Sequence, residues 1–138
     1  MISIGELSRR TGVKVPTIRF YESVGLLAEP PRTESGRRLY AEADERRLAF
    51  IRHARDLGFE MDALRALLQL ADQPDLPCHE ADAIARAHLA SVEAKIRQLT
   101  ALKGELRRMV ESCSQGRVAS CQVIEALADH GGCSNARH

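Results

Sequence analysis

The sequence predicts a mainly α fold. A winged helix-turn-helix head is followed by a long dimerisation helix forming an antiparallel coiled coil, then by a short loop and helix. Three observations predict it. Short helical patterns are cut by glycine at positions 12, 25 and 58 and by the Pro30-Pro31 pair. The 34 residues between Cys78 and Cys113 contain no proline and carry apolar residues at steps of three and four. Composition agrees: 44% of the 138 residues are hydrophobic but only 4% are aromatic, with no Trp. Leu, Ala, Ile and Val dominate, as in helices packing on helices. The expected boundaries are 1–76 for the head with its second helical pair, 77–112 for the dimerisation helix and 113–138 for the tail.

The elements follow in order. Ser3 caps a first helix, with Glu6 at capping-box spacing, and Ile4 and Leu7 give its apolar face until Thr11-Gly12 stops it. Val15-Pro16 opens a second helix, since proline in the first turn removes no needed N–H; it ends at Gly25. Ile18 and Phe20 are expected to pack. Residues 26–40 read as a loop and short hairpin, a wing, because two prolines block a helix and Ser35-Gly36 suits a tight turn. Residues 43–57 and 60–70 form a second helical pair, with Leu48, Ile51 and Ala54 on one side and Met61, Leu64, Leu67 and Leu68 on the other. A polar, proline-containing hinge occupies 71–77. The long helix spans 80–111, with its seam at Leu89, Val92, Ile96, Leu99, Leu102, Leu106 and Met109. At ~1.5 Å rise per residue it measures about 45 Å. So long a helix cannot hide its seam within so small a chain, so a second copy is expected to cover it, with packing inside one chain as the alternative. A last short helix covers 122–130.

The formal net charge of +1 conceals an asymmetry, with 11 Lys/Arg against 8 Asp/Glu in residues 1–58 and 9 against 11 afterwards. No apolar stretch reaches the ~18–20 residues of a membrane span, and no signal-peptide core is present. The expected location is therefore cytoplasmic, with no membrane partner. Cysteines there serve metal binding, redox sensing or burial rather than structural disulfides. No nucleophile–base pair, phosphate loop or open catalytic metal pattern is visible, so an enzyme is not expected.

A recognition helix needs cations for phosphates and short polar groups for base edges. The second helix offers Lys14 and Thr17 near its start for the major groove, and Arg19 and Tyr21 for the backbone. The wing adds Arg32, Arg37, Arg38 and Tyr40. This order of residues resembles the MerR family of transcriptional regulators, in Ile18-Arg19-Phe20-Tyr21-Glu22, Gly25-Leu26-Leu27 and Gly36-Arg37-Arg38-Leu39-Tyr40. The run Ile51-Arg52-His53-Ala54-Arg55-Asp56-Leu57-Gly58-Phe59 resembles the family's second helical pair. The resemblance implies a homodimer on double-stranded promoter DNA. Such a dimer acts on RNA polymerase indirectly, by untwisting and kinking an overlong spacer when an effector arrives. It also implies that Arg19, Tyr21, Arg37 and Tyr40 touch phosphates, with Arg55 as a further contact.

Cysteine placement supplies the effector. In an antiparallel pair, Cys78 of one chain falls beside Cys113 and Cys121 of the other. The crossing point that achieves this lies at Lys95-Ile96, the middle of the apolar seam. Thiolates bind soft or borderline metals, and a third thiolate suits a divalent ion. His79 and Cys133 are further possible donors, whereas His53, His88, His130 and His138 read as surface or packing residues. Metal-responsive members of the MerR family carry a cysteine at the Cys78 position in Zn, Cd, Pb and Hg sensors and a serine there in Cu(I) sensors. The seven-residue gap from Cys113 to Cys121 matches the Cu(I) sensors, and the adjacent cysteines of zinc sensors are absent because Ser114 follows Cys113. A divalent ion is the expected effector, with Cu(I) the alternative. A thiol redox sensor stays open as a second class, although the C-x2-C of the family's cluster-binding members is missing. The resemblance also implies control of metal efflux or detoxification genes.

Overall fold

The computed structural model describes residues 1–112, 116–118 and 121–129. Its helices are α1 (Ile4–Thr11), α2 (Val15–Ser23), α3 (Glu42–Asp56), α4 (Met61–Ala71), α5 (His79–Glu111) and α6 (Gln122–Ala128). The chain divides into two compact units, Met1–Ile84 and Ala85–His138. Every expected helix is present, with ends within about two residues of the sequence reading. No described helix is long and apolar enough to cross a membrane.

In the first unit, α1 begins where its cap predicts: the Glu6 N–H donates to Ser3 Oγ at 3.2 Å. The Glu6 carboxylate does not turn back to close the capping box. It accepts instead from Arg9 and Arg10 one turn on, where two cations outcompete one backbone N–H. Proline in the first turn starts α2 without any side-chain cap. At α3 the carboxylate of Asp44 accepts the Ala41 N–H at 2.9 Å.

The wing is a tight turn rather than a formal strand pair. The Gly36 N–H donates to Thr33 O and the Thr33 N–H to Arg37 O, at 2.9 and 2.7 Å. Arg32 and Arg38 form an isolated antiparallel bridge, and a second joins Ile2 to Tyr40. That second bridge zips the N-terminus onto the end of the wing.

One core serves the whole head. Leu7, Ile18, Leu26, Tyr40, Leu48, Ile51 and Leu64 are its most deeply buried large side chains, contributed by α1, α2, the wing, α3 and α4. Two arginines on α3 tie loops to this core over long sequence distances. Arg47 donates to Leu26 O at 2.7 Å and to Asp72 Oδ1 at 2.9 Å. Arg52 donates to Thr11 O at the end of α1.

The long helix α5 starts in the first unit and continues into the second, and it has no buried residue. Its seam residues Leu89, Ile96, Leu99, Leu102 and Leu106 are 38–64% exposed, and Val110 joins them at 69%. Val92 and Met109 are half-buried.

Gly12 closes α1 at φ 72°, and a Cβ there would strike the Arg52 guanidinium. The left-handed conformation alone costs a side chain about 1–2 kcal/mol. We therefore expect Gly12→Ala to lower the melting temperature by about 5–10 °C, measured by circular dichroism. An unchanged melting point would show that neither the backbone angle nor the Arg52 clamp is under constraint.

Candidate functional site

Four of the arginines predicted to meet DNA come together. Arg19 of α2 and Arg32, Arg37 and Arg38 of the wing line one cleft of about 520 Å³, together with Ser3, Ile4 and Gly36. Ser3 is also the α1 cap, so the cleft opens beside a helix N-terminus, an end that favours anions. Within it, Arg32 Nη1 donates to Gly36 O at 3.2 Å, which stiffens the wing. Arg38 faces the Glu22 carboxylate at 3.5 Å. Lys14 lies at the N-cap of α2 and is exposed; Thr17 is half-buried.

Glu22 organises the arrangement from below. Its side chain is 7% exposed and accepts the Tyr40 hydroxyl while pairing with Arg38. Burial pushes the Tyr40 phenol well above its ordinary range, and the Glu22 carboxylate adds to the shift. Tyr40 is 1% exposed and Tyr21 8%. Both tyrosines expected at phosphates thus lie in the core, because α2 must bury one face and the wing must be anchored to it.

Phe20 differs from its expected packing role. It is 50% exposed, with its ring beside Tyr21 at a centroid separation of 5.9 Å. Arg55 is exposed and donates to Phe59 O at 2.7 Å, bracing the α3–α4 turn.

Of the predicted metal donors, Cys78 is an exposed free thiol just before α5, and its carbonyl accepts the Asp82 N–H at 3.0 Å. His79 is exposed in the first turn of α5. Cys121 is half-buried at the N-cap of α6. Cys113 and Cys133 lie outside the described residues. Among the described residues no group of three or more His, Cys, Asp or Glu is disposed to hold a metal ion.

Comparison with known proteins decides the family. The model of MerR helix-turn-helix family regulatory proteins matches residues 2–71, and that of the MerR DNA-binding segment matches residues 45–109. The chain belongs to the MerR family. It is 40% identical over 130 residues to the HTH-type transcriptional regulator ZntR of Escherichia coli (strain K12), covering 92% of each chain. It is 37% identical to the HTH-type transcriptional regulator HmrR of Rhizobium leguminosarum bv. viciae, covering 93% of this chain and 98% of that one. Among solved structures, the transcription regulator PbrR691 of Ralstonia metallidurans CH34, in complex with lead(II), superposes with a TM-score of 0.80. It shares 42% identity and covers 92% of this chain and 99% of its own. The protein is accordingly a DNA-binding transcriptional regulator of the MerR type, not an enzyme.

The α1 surface of this MerR-type head carries a second charge cluster. Hydrogen bonds from Arg9 and then Arg10 hold the Glu6 carboxyl down at about 2, against an ordinary value of 4.5. A carboxyl depressed in the folded state stabilises it above the unfolded value, and that contribution is lost as pH falls through the folded value. The melting-temperature gap between wild type and Glu6→Gln should therefore hold above about pH 4.5 and shrink steadily toward pH 2. A gap independent of pH across this window would refute the pairing.

Proposed function

We propose that this protein is a metal-responsive activator. It binds promoter DNA as a homodimer and distorts it when a soft divalent ion (Zn, Cd, Pb or Hg) occupies a site made by both chains. The observation that carries the reading is the exposed apolar seam of α5, which centres on Ile96, midway between Cys78 and Cys113. A contiguous apolar face of this size calls for a partner. A second α5 running antiparallel covers it and brings Cys78 of one chain to Cys113 and Cys121 of the other. Lead(II) in the structure of PbrR691, at 42% identity, supports the choice of effector class.

Donor chemistry fits. Cys78, Cys113 and Cys121 would hold the ion as thiolates, and His79 and Cys133 are the further donors. When bound, the ion supplies a cross-link between the two chains. A ligand shifts an equilibrium only through differential affinity, so the three thiolates must meet better in the activating arrangement of the heads. The head itself grips DNA with Lys14, Thr17, Arg19, Arg32, Arg37 and Arg38, with Arg55 as an outer contact. Tyr21 and Tyr40 hold those groups in place from the core. RNA polymerase is engaged indirectly, through the shape of the promoter, and the genes controlled are those of metal efflux or detoxification.

A second reading, a Cu(I)-responsive regulator of the same fold, is favoured by the seven residues separating Cys113 from Cys121. A thiol redox sensor on the same scaffold makes a third. In a transcription assay on the cognate promoter, Cys78→Ser should abolish the response to Zn, Cd, Pb and Hg. A retained divalent response would remove the three-thiolate site, and a wild-type response to Cu(I) alone would select the second reading. Metal-independent activation by a mild oxidant would select the third.

For DNA, Arg37→Ala should weaken binding to all sequences alike. The slope of log K against log salt should fall by about one unit, read by anisotropy titrations between low and moderate salt. An unaltered slope would take Arg37 off the phosphate footprint.

A further inference from the structure

We propose that Phe20 reads DNA sequence, its exposed ring taking the 5-methyl group of a thymine in the major groove of the bound duplex. The inference rests on the reading that this head grips promoter DNA.

A helix advances by about 100° per residue, so the buried side of α2 fixes what faces outward. Ile18 is fully buried and Tyr21 nearly so. Pro16, Phe20 and Ser23 stand opposite them, all exposed. Arg19 lies on the flank that lines the cleft with the wing arginines. Phe20 is turned about 100° away from it, beyond the cluster that serves phosphates. The outward face of α2 thus has a cationic flank and an apolar ridge.

A half-exposed phenylalanine alone signifies little. Its setting gives it meaning, because it follows Arg19, which lines the cleft with Arg32 and Arg37 on a helix-turn-helix surface. A cationic cleft suits a polyanion, and an apolar ring on the adjoining face is matched by a groove that carries both phosphates and methyl groups. On this ridge, Ser23 and Pro16 offer little competing readout. The Ser23 hydroxyl donates to Phe20 O at 2.7 Å inside the helix, and Pro16 has no polar side-chain atom.

Phenylalanine neither donates nor accepts a hydrogen bond. Base edges in the major groove present donors and acceptors, and the one apolar group among them is the thymine methyl. The ring therefore selects for T at one position in each half-site. Phosphate contacts made by the arginines of the neighbouring cleft position the head without reading sequence.

The test uses the full-length protein and a duplex recovered by selection from a randomised double-stranded pool. Each thymine of the selected site is replaced in turn by deoxyuridine, which removes only the methyl group. We expect one position per half-site at which wild type loses about fourfold in affinity per methyl removed. Phe20→Ala should bind the thymine duplex more weakly and show no further loss at that position. Phe20→Leu, which keeps an apolar group, should retain part of the discrimination, and both variants should melt as cooperatively as wild type. Absence of any methyl-sensitive thymine, or an equal penalty in Phe20→Ala, would overturn the assignment. Salt-dependent binding that persists in that case would leave the DNA-gripping head intact and remove only the role of Phe20.

Discussion

At the centre of the head, the Glu22 carboxylate accepts the Tyr40 hydroxyl and faces the Arg38 guanidinium. Through these two contacts α2 and the wing become one rigid body. Tyr40 extends the tie, since its backbone pairs with Ile2 in both directions, at 2.9 and 2.8 Å. The N-terminus, the second helix and the wing therefore share one anchor. The spacing of Arg19, Arg32 and Arg37 around their cleft is inherited from it. A buried carboxylate is stable only while its partners remain, and stranding such a group costs about 1–3 kcal/mol or more. The polar network at the base of the head thus specifies the shape of the surface above.

The long helix α5 works by an opposite logic. Nothing in α5 is buried, and its seam is apolar along much of its length. Where the head satisfies itself, the long helix leaves its largest apolar surface to be covered from outside. Under the antiparallel pairing proposed above, thiol chemistry at Cys78 would depend on how the seam is covered.

Much of this was legible in the residues because it is local. The Ser3 cap, the proline at the start of α2, the glycine stops and the three-four spacing of α5 each act within one or two turns. Their elements appear where the patterns put them. The grouping of Arg19 with the wing arginines was also readable, since helix-turn-helix order leaves few places for a wing. Contacts spanning long sequence separations were not readable. Arg47 reaching Leu26 and Asp72, Arg52 reaching Thr11, and Tyr40 reaching Glu22 follow from tertiary packing that no periodicity encodes. Tyr21 and Tyr40 are expected at phosphates, chiefly on the resemblance. Their rings fill the core instead, with the Tyr40 hydroxyl given to Glu22. Phe20 was misread for the converse reason: hydrophobicity suggested burial, while its position opposite Ile18 and Tyr21 put it outside. Counting the angle around α2 would have found it.

Arg47 shows how a single side chain joins distant segments. One nitrogen holds the carbonyl of Leu26, where the chain leaves α2 for the wing; another holds Asp72, where α4 ends. Two segments 46 positions apart in sequence thereby share a strut. Loss of the Arg47 side chain would therefore release two ties at once, one at the entry to the wing and one at the end of α4.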